Sequence, residues 1–400
     1  MTDIDVRARL ALLGRSPTAA DIAEALRSGG RIVSDVAVMA LQQELVQDCE
    51  GIGVLEPLLD TPGLTDILVN GPDRVYMDCG RGPVLTPIRF SSAEDVRRLG
   101  VRLAASAGRR LDDGSPFVDA RLGNGLRFHA VLEGICEPGP CLSLRVPARN
   151  PLSMADWESS GGLHPHVRAV LERVVDAKVS FLICGGTGSG KTTLLASMLS
   201  AVPEAERIVV VEDSRELDPA HPHVVRLESR PCNTEGAGLV TMSDLVRQAL
   251  RMRPDRLVVG EVRGAELRDM LQALNTGHEG GCGTVHANSV VDVPARLEAL
   301  AALGGLSRAA AHAQIAAALS VAIHVTCVGG RRRVSQIGVF RSDERGMVCV
   351  EQAWAWDGVR LQEGPGAEEL ARKIHLSDGR LAGQWSADGQ RSPLPARALP

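Results

Sequence analysis

Aromatic residues are scarce in this chain of 400 residues: they make up 2% of it, with a single tyrosine. Proteins that bind single-stranded nucleic acid stack its bases on exposed aromatic side chains. The chain has few residues for such a surface. Its hydrophobic fraction, 44%, must come mainly from leucine, valine, alanine and isoleucine, which favours helices packed on a sheet.

Surplus positive charge is lacking too. The formal net charge is −5, and the clearest basic run is the three arginines at 331–333. A protein whose main partner is DNA usually has a basic surplus or a basic stripe. The charge therefore weighs against nucleic acid as the main partner.

Metal-binding cysteine motifs are missing from the sequence. None of the nine cysteines forms a CxxC pair, and Cys136 and Cys141 have no matching second pair. We therefore expect no zinc site, and free thiols in a reducing cytosol. Residues 1–5 lack the basic start of a signal peptide, and no apolar run approaches the ~18 residues that span a bilayer. We expect a cytoplasmic protein whose role at a membrane, if it has one, depends on a partner.

Composition and periodicity predict two main domains, since a domain usually has roughly 100–200 residues. Strands and one helix in the first half indicate an α+β domain, with a hairpin turn at Gly123-Asn124-Gly125. In the second half strands alternate with helices, which is typical of a parallel sheet. The predicted segments are a helical N-terminal extension at 1–50, the α+β domain at 51–147, a linker at 148–164, an α/β domain at 165–360 and a flexible polar tail at 361–400.

A glycine-rich segment at 185–192 fits the pattern GxxxxGK[ST] at every position. It follows a predicted strand at 179–184 and begins a predicted helix at 191–199, the context that this motif requires. Glycines let successive backbone N–H groups point at phosphate oxygens, and the helix N-terminus adds partial positive charge. Lys191 would reach the β- and γ-phosphates, and the Thr192 hydroxyl would ligate Mg²⁺. The predicted nucleotide-binding residues are Gly185, Gly186, Thr187, Gly188, Ser189, Gly190, Lys191 and Thr192.

Acidic residues follow two of the later apolar strands. Glu212 ends the strand at 208–211, and Glu261 comes directly after 257–260. Because parallel strands end at one edge of the sheet, both carboxylates should face the phosphates. His286 ends another short strand at the same edge, where it would sense the γ-phosphate.

These four segments, in this order, resemble the secretion ATPase superfamily, which powers type II and type IV secretion and type IV pili. Its Walker A, acidic, Walker B and histidine boxes correspond here to 185–193, 211–213, 259–263 and 284–288. Further segments are similar to the tight-adherence (Tad) pilus branch: 68–76, 118–122, 244–247, 249–255 and 275–278. The resemblance covers roughly 50–340. The segment at 133–136, which includes Cys136, departs from the proline-containing loop usual in the family.

The resemblance implies a RecA-like P-loop motor domain that hydrolyses ATP with Mg²⁺, with Thr193 added to the nucleotide-binding set. It implies that Glu212 orients or deprotonates water, that Glu261 lies near Mg²⁺ with Thr192, and that His286 senses γ-phosphate. Either glutamate position can polarise water, so this division stays open.

Arginines of the N-terminal domain complete such sites in this family, often across a subunit boundary. The residues that the resemblance suggests for this role are Arg121, Arg127 and Arg145, each on or beside a predicted strand. Arg251 and Arg263, which flank the Walker B strand, are weaker candidates.

For the whole protein, the resemblance implies a homo-hexamer at the inner face of the cell membrane. Its motion would be passed to an inner-membrane platform protein that assembles pili or exports protein. Two alternatives stay open: a DNA-associated ATPase of conjugal transfer, and an ATP-binding scaffold without turnover. The scaffold predicts that the lysine or a carboxylate is missing, whereas all are present.

Overall fold

The computed structural model describes residues 51–147, 152–230, 232, 237–277 and 280–374, together with Asp21, Ala23 and Glu24. The chain divides into two compact units, Met1–Arg149 and Asn150–Pro400. The helical extension predicted at 1–50 lies outside the described residues, apart from those three, which are helical. The predicted tail lies outside them from 375 onward.

The first unit is built on an antiparallel sheet with the strand order β3-β2-β1-β6-β5-β4. A 3₁₀ helix, Gly53–Asp60, precedes the sheet. The strands are β1 (Asp66–Asn70), β2 (Val75–Asp78), β3 (Val84–Leu85), β4 (Phe117–Arg121), β5 (Arg127–Val131) and β6 (Cys141–Arg145).

One helix, α1 (Ala93–Ser106), packs on this sheet. It begins where the Ser92 side chain accepts a hydrogen bond from the Asp95 amide, as expected of an N-cap. Val96, Leu99 and Leu103 recur at helical spacing and are buried in the core of the unit. The predicted helix and the strands around it form the expected α+β domain.

The second unit contains a sheet with the strand order β15-β14-β13-β12-β7-β11-β10-β8-β9. Neighbours from β12 to β9 in this order run parallel, and β13 to β15 extend the sheet antiparallel. The strands are β7 (Phe181–Cys184), β8 (Ile208–Glu212), β9 (Val224–Glu228), β10 (Arg256–Val259), β11 (Cys282–Val285), β12 (Val321–Val328), β13 (Arg331–Ser342), β14 (Val348–Trp356) and β15 (Leu361–Glu363).

Helices cover both faces of this sheet, because its strands are apolar on both sides. Along β7, Phe181 and Ile183 join the core on one face, whereas Leu182 and Cys184 join the core on the other. The helices are α2 (Met154–Ser159), α3 (Pro165–Asp176), α4 (Lys191–Leu199), α5 (Met242–Ala249), α6 (Glu266–Leu274), α7 (Val293–Leu303), α8 (Arg308–Ala318) and α9 (Ala367–Lys373), with 3₁₀ turns at Leu250–Met252 and Val290–Asp292. The arrangement confirms the predicted α/β P-loop fold.

The linker predicted at 148–164 is wrong for its described part, 152–164. A capping box formed by Ser153 and Asp156 begins α2 there. Trp157 and Leu163 are each only 2% exposed, within the core of the second unit. The polar residues that suggested a linker are helix caps and turns.

The beginning of the predicted flexible tail is also ordered. Strand β15 and helix α9 fall within 361–374, and Leu370 and Ile374 are buried against the sheet. Among the described residues, none of the helices combines the length and the hydrophobicity needed to cross a lipid bilayer.

Candidate functional site

The predicted phosphate-binding loop, residues 185–190, connects β7 to α4. Gly185 has a φ of 153°, and a Cβ there would lie 2.3 Å from the Val325 carbonyl oxygen. Gly190 has a φ of 101° and begins α4 without a side-chain cap. The first amides of a helix have no intrahelical partner, so this end offers donors to an anion. Thr192 and Thr193 lie in the first turn.

Lys191 is turned back onto its own loop. Its ammonium donates hydrogen bonds to the carbonyl oxygens of Gly185 at 3.1 Å and Gly186 at 2.9 Å. The residue is 7% exposed. Burial lowers the pKa of Lys191, and the nearby Glu261 carboxylate opposes this effect. A buried cation held by neutral carbonyl groups is electrostatically suited to phosphate.

Glu212 ends β8 and is almost completely buried, with 4% exposed. Its Oε1 accepts hydrogen bonds from the amides of Glu216 at 3.0 Å and Leu217 at 2.9 Å. Burial raises the pKa of Glu212 to about 7, although these two hydrogen bonds act in the opposite direction. Among the described residues, no group hydrogen-bonds Oε2.

Gly260, directly after β10, leaves the space that Glu212 fills. A Cβ at this position would lie 2.5 Å from Cγ of Glu212. Any side chain at 260 would therefore push the carboxyl out of place. Because Gly260 has no side chain, Glu212 on the neighbouring strand β8 can occupy this position.

Glu261 forms a charged cluster with His286 and Arg263. Its Oε1 lies 2.5 Å from Nε2 of His286, and its Oε2 lies 2.5 Å from a guanidinium nitrogen of Arg263. Burial opposes ionisation of Glu261, but Arg263, His286 and Lys191 together hold its pKa below the usual range. Burial lowers the pKa of His286, and Lys191 lowers it further against the effect of Glu261.

The structure therefore brings together the phosphate-binding loop, Glu212, Glu261 and His286. Each follows or ends one of the neighbouring parallel strands β7, β8, β10 and β11. The Thr284 hydroxyl donates to the Gly260 carbonyl oxygen at 2.6 Å, which ties the last two strand ends together. This is the edge at which open α/β sheets bind ligands.

The three arginines predicted from the resemblance belong to the first unit. Arg121 and Arg127 face each other across the hairpin of β4 and β5, and Arg145 lies opposite Arg127 on β6. Arg127 forms an ion pair with Asp119 at 2.8 Å, and Arg145 with Asp66 at 3.2 Å. Their role in a nucleotide site stays a prediction.

Of the weaker candidates, Arg263 contacts Glu261, whereas Arg251 is exposed in the 3₁₀ turn after α5. Sequence reasoning missed two further side chains at the loop. Trp157 and Arg332 both lie against Gly190, at 3.3 Å and 2.8 Å from where a Cβ would be. Trp157 lies in the segment predicted as a linker, and Arg332 is the middle residue of the basic run at 331–333.

A family model described as type II/IV secretion system protein matches residues 48–353. The chain belongs to this family. The match confirms the resemblance to the secretion ATPase superfamily, whereas the closer likeness to the Tad branch stays a prediction.

Relatives in the family have diverse names. A Mycobacterium tuberculosis protein, named provisionally as a conjugal transfer protein, is 51% identical over 348 residues, covering 85% of this chain and 99% of its own. The conjugal transfer protein TrbB of Rhizobium radiobacter is 30% identical, over 70% of this chain and 84% of its own. The type IV secretion system protein PtlH of Bordetella pertussis is 36% identical, over 59% and 76%.

Two solved structures share the fold. The pilus retraction motor PilT with bound ADP aligns with a TM-score of 0.52 at 19% identity, over 81% of this chain and 86% of its own. The Legionella pneumophila ATPase DotB aligns with a TM-score of 0.51 at 20% identity, over 73% and 80%. At these identities the alignments support the fold alone.

Replacing Glu212 by glutamine keeps the side-chain shape and its acceptor for the two amides. A carboxyl whose pKa rises on folding favours the folded state at low pH, and that contribution is lost as pH rises through the folded pKa. We expect Glu212→Gln to gain stability relative to the unchanged chain between about pH 5 and about pH 8, by roughly 2–3 kcal/mol at the upper end.

Urea unfolding at the two pH values measures this difference. Glu204→Gln, at an exposed position of the same unit, is the matched control and should show a constant difference. A difference for Glu212→Gln that also stays constant with pH would contradict the raised pKa.

Proposed function

We propose that this protein hydrolyses ATP and uses the energy to power pilus assembly or protein secretion. The observation that carries the proposal is that a buried P-loop lysine, Lys191, and a buried carboxyl, Glu212, whose pKa is raised to about 7, both belong to the same edge of the sheet. The first feature suits nucleotide phosphates, and the second suits proton transfer near neutral pH.

Binding would begin at the phosphate-binding loop. A β- or γ-phosphate would replace the two loop carbonyls as the partner of Lys191, and the first amides of α4 would donate to phosphate oxygens. The buried hydroxyl of Ser189 has no hydrogen-bond partner among the described residues, so it fits a site that takes a polar ligand. Mg²⁺ prefers oxygen ligands, which the Thr192 hydroxyl and the Glu261 carboxylate would supply. The ion would neutralise charge on the β- and γ-phosphates.

Hydrolysis requires a group that orients water and accepts its proton. Glu212 is held by two amides through Oε1, which leaves Oε2 for a water molecule. With a pKa of about 7 the carboxyl is partly ionised at neutral pH and can take up a proton. We infer that Glu212 is the base and that Glu261 serves the metal.

His286 would report the state of the γ-phosphate. It shares Glu261 with Arg263 and lies within the electrostatic influence of Lys191. A γ-phosphate added beside Lys191 would change the charge that His286 experiences. The close contact between His286 and Glu261 would then couple phosphate loss to the metal-binding acid.

Mechanical output would come from a ring. Family membership, the PilT and DotB folds and the Tad-like segments support a homo-hexamer beneath an inner-membrane platform protein. In such a ring Arg121, Arg127 or Arg145 would complete the nucleotide site, from the same or a neighbouring subunit. The sequence segment at 275–278, part of the Tad likeness, ends at a residue outside the described part of the chain.

A role in conjugal DNA transfer is the second candidate, because two relatives carry that name. It predicts that DNA stimulates ATP turnover and that the effect falls steeply with salt. The net charge of −5 is against DNA as a direct partner. A scaffold without turnover remains a third candidate. It would be identified if the unchanged protein bound ATP but released no phosphate.

Lys191→Ala removes the buried cation. A charged hydrogen bond contributes about 1.5–3 kcal/mol, so ATP affinity should fall roughly tenfold to a hundredfold, and turnover should be lost. Calorimetric titration with ATP and a phosphate-release assay measure the two effects. Lys373→Ala, on α9, is the matched control. Unchanged turnover in Lys191→Ala would refute the site.

Glu212→Gln and Glu261→Gln separate the roles of the two acids. Glu212→Gln should bind ATP normally and lose at least about a hundredfold in turnover, because the base is gone. Turnover of the unchanged protein should rise with pH through about 7, as Glu212 ionises. Glu261→Gln should instead raise the Mg²⁺ concentration that is required for half-maximal turnover. Normal turnover in Glu212→Gln, with loss in Glu261→Gln, would reverse the assignment.

A further inference from the structure

Arg332, on β13, lies across the phosphate-binding loop. A Cβ on Gly190 would be 2.8 Å from Cδ of Arg332 and 3.5 Å from its Nε. The side chain therefore runs directly over the backbone at the residue before Lys191. It does so within one unit, on a strand outside the Walker A, acidic, Walker B and histidine boxes.

The backbone of Arg332 is held in place by the elements that also support α4. A Cβ on Gly162 would lie 2.9 Å from the Arg332 carbonyl oxygen and 2.8 Å from the Trp157 ring. The Val334 amide donates to the Gly162 carbonyl oxygen at 2.9 Å. The Trp157 ring nitrogen in turn donates to the Ser197 hydroxyl, on α4, at 3.0 Å. Arg332 is thus positioned relative to the loop by packing.

Arg332 is exposed at the surface of its unit. In the described part of the chain, no carboxylate pairs with this guanidinium and no acceptor hydrogen-bonds it. The next residue, Arg333, donates to the Asp357 carbonyl oxygen. An exposed arginine of this kind is common on a surface, but one laid over a phosphate-binding loop has an anion as its natural partner.

We propose that Arg332 binds a phosphate of the nucleotide, in addition to Lys191 and from within the same unit. The inference rests on the proposed nucleotide site. It differs from the arginines suggested by the family resemblance, which lie in the first unit. The planar guanidinium would bond phosphate oxygens through two nitrogens, which a lysine at this position would do less well.

Calorimetric titration of the full chain with Mg-ADP, and with inorganic pyrophosphate as a phosphate-only probe, tests the proposal. Arg332→Ala should weaken both ligands about tenfold, as expected for loss of a charged hydrogen bond. Arg332→Lys should recover part of the affinity. Arg331→Ala, the adjacent exposed arginine on β13, is the matched control and should bind both ligands normally.

Four outcomes are distinguishable. Weaker binding of both probes in Arg332→Ala supports a phosphate contact. Weaker binding of ADP with unchanged binding of pyrophosphate overturns it, because the side chain then serves the nucleoside. If Arg332→Ala binds both probes normally and Lys191→Ala does not bind them, the inference is overturned and the proposed function stays intact. Normal binding in both variants refutes the nucleotide site itself.

A separate observation concerns two thiols in the first unit. The Sγ atoms of Cys136 and Cys141 are 3.2 Å apart, across the connection between β5 and β6. Both residues are half-buried. The distance exceeds a disulfide bond of about 2.05 Å by roughly one ångström, a gap that a loop can close.

We infer that Cys136 and Cys141 form a reversible disulfide when the protein meets a two-electron oxidant such as hydrogen peroxide. Peroxide would first convert one thiol to a sulfenic acid and release one water. The second thiol would then attack that sulfur, form the S–S bond and release a second water. The two thiols lose two protons and two electrons, which the peroxide takes up. A dithiol reductant reverses the reaction.

Tryptic mapping of the oxidised, folded chain tests this pair. The peptide 128–145 contains both cysteines, no other cysteine and no internal lysine or arginine. After peroxide it should resist alkylation and lose the mass of two hydrogen atoms, and reduction should reverse both changes. Cys79, in the peptide 75–81, is the internal control and should stay alkylatable.

Two cysteine variants complete the test. Cys136→Ser and Cys141→Ser should each abolish the mass loss, whereas Cys79→Ser should not. Peptide 128–145 that still takes up two alkyl groups after oxidation would overturn the inference. Disulfides formed instead between that peptide and other cysteine-containing peptides would overturn it as well.

Discussion

The burial of Lys191 within its own loop is the constraint on which the rest of the site depends. Lys191 is only 7% exposed, and a buried ammonium group cannot be left without acceptors, so the loop must turn two carbonyl groups towards it. That turn needs glycine at 185, where a Cβ would collide with β12. The same curvature leaves the amides at the start of α4 open to an anion. The same loop conformation therefore holds Lys191 and presents the amides that would bind phosphate.

Glycines at the strand ends also make room for the acidic side chains. Gly260 has no side chain, and the carbon chain of Glu212 occupies the space that one would need. Gly283 on β11 likewise lies where a Cβ would be 2.5 Å from the Val259 carbonyl oxygen. Close approach of neighbouring strands at this edge brings the carboxyls into a region of low dielectric constant. Their pKa values then depend on which partners each acid finds there.

Much of the fold could be predicted because its signals are local. Apolar strands, the glycine loop and helically spaced leucines are visible in short windows, and so the core strands of both units were expected. Strand β9 carries no such signal, because Arg226 and Glu228 interrupt its apolar residues and every residue in it is only half-buried. Trp157 was assigned to a linker because Ser and Gly surround it, whereas its burial depends on α4, distant in sequence. Arg332 reaches the loop through sheet order, which no local pattern encodes.

The division of labour between the two acids, open at the level of sequence, follows from their surroundings. Glu212 has amide donors as its nearest partners, and burial outweighs them, so its pKa rises to about 7. Glu261 lies within the electrostatic influence of Lys191, and Arg263, His286 and Lys191 together hold its pKa below the usual range. A metal ligand should stay charged and an acid–base group should be able to take up a proton at neutral pH. Two glutamates at the same sheet edge are thereby suited to different tasks, and we infer that the cations beside Glu261, rather than its strand position, make the difference.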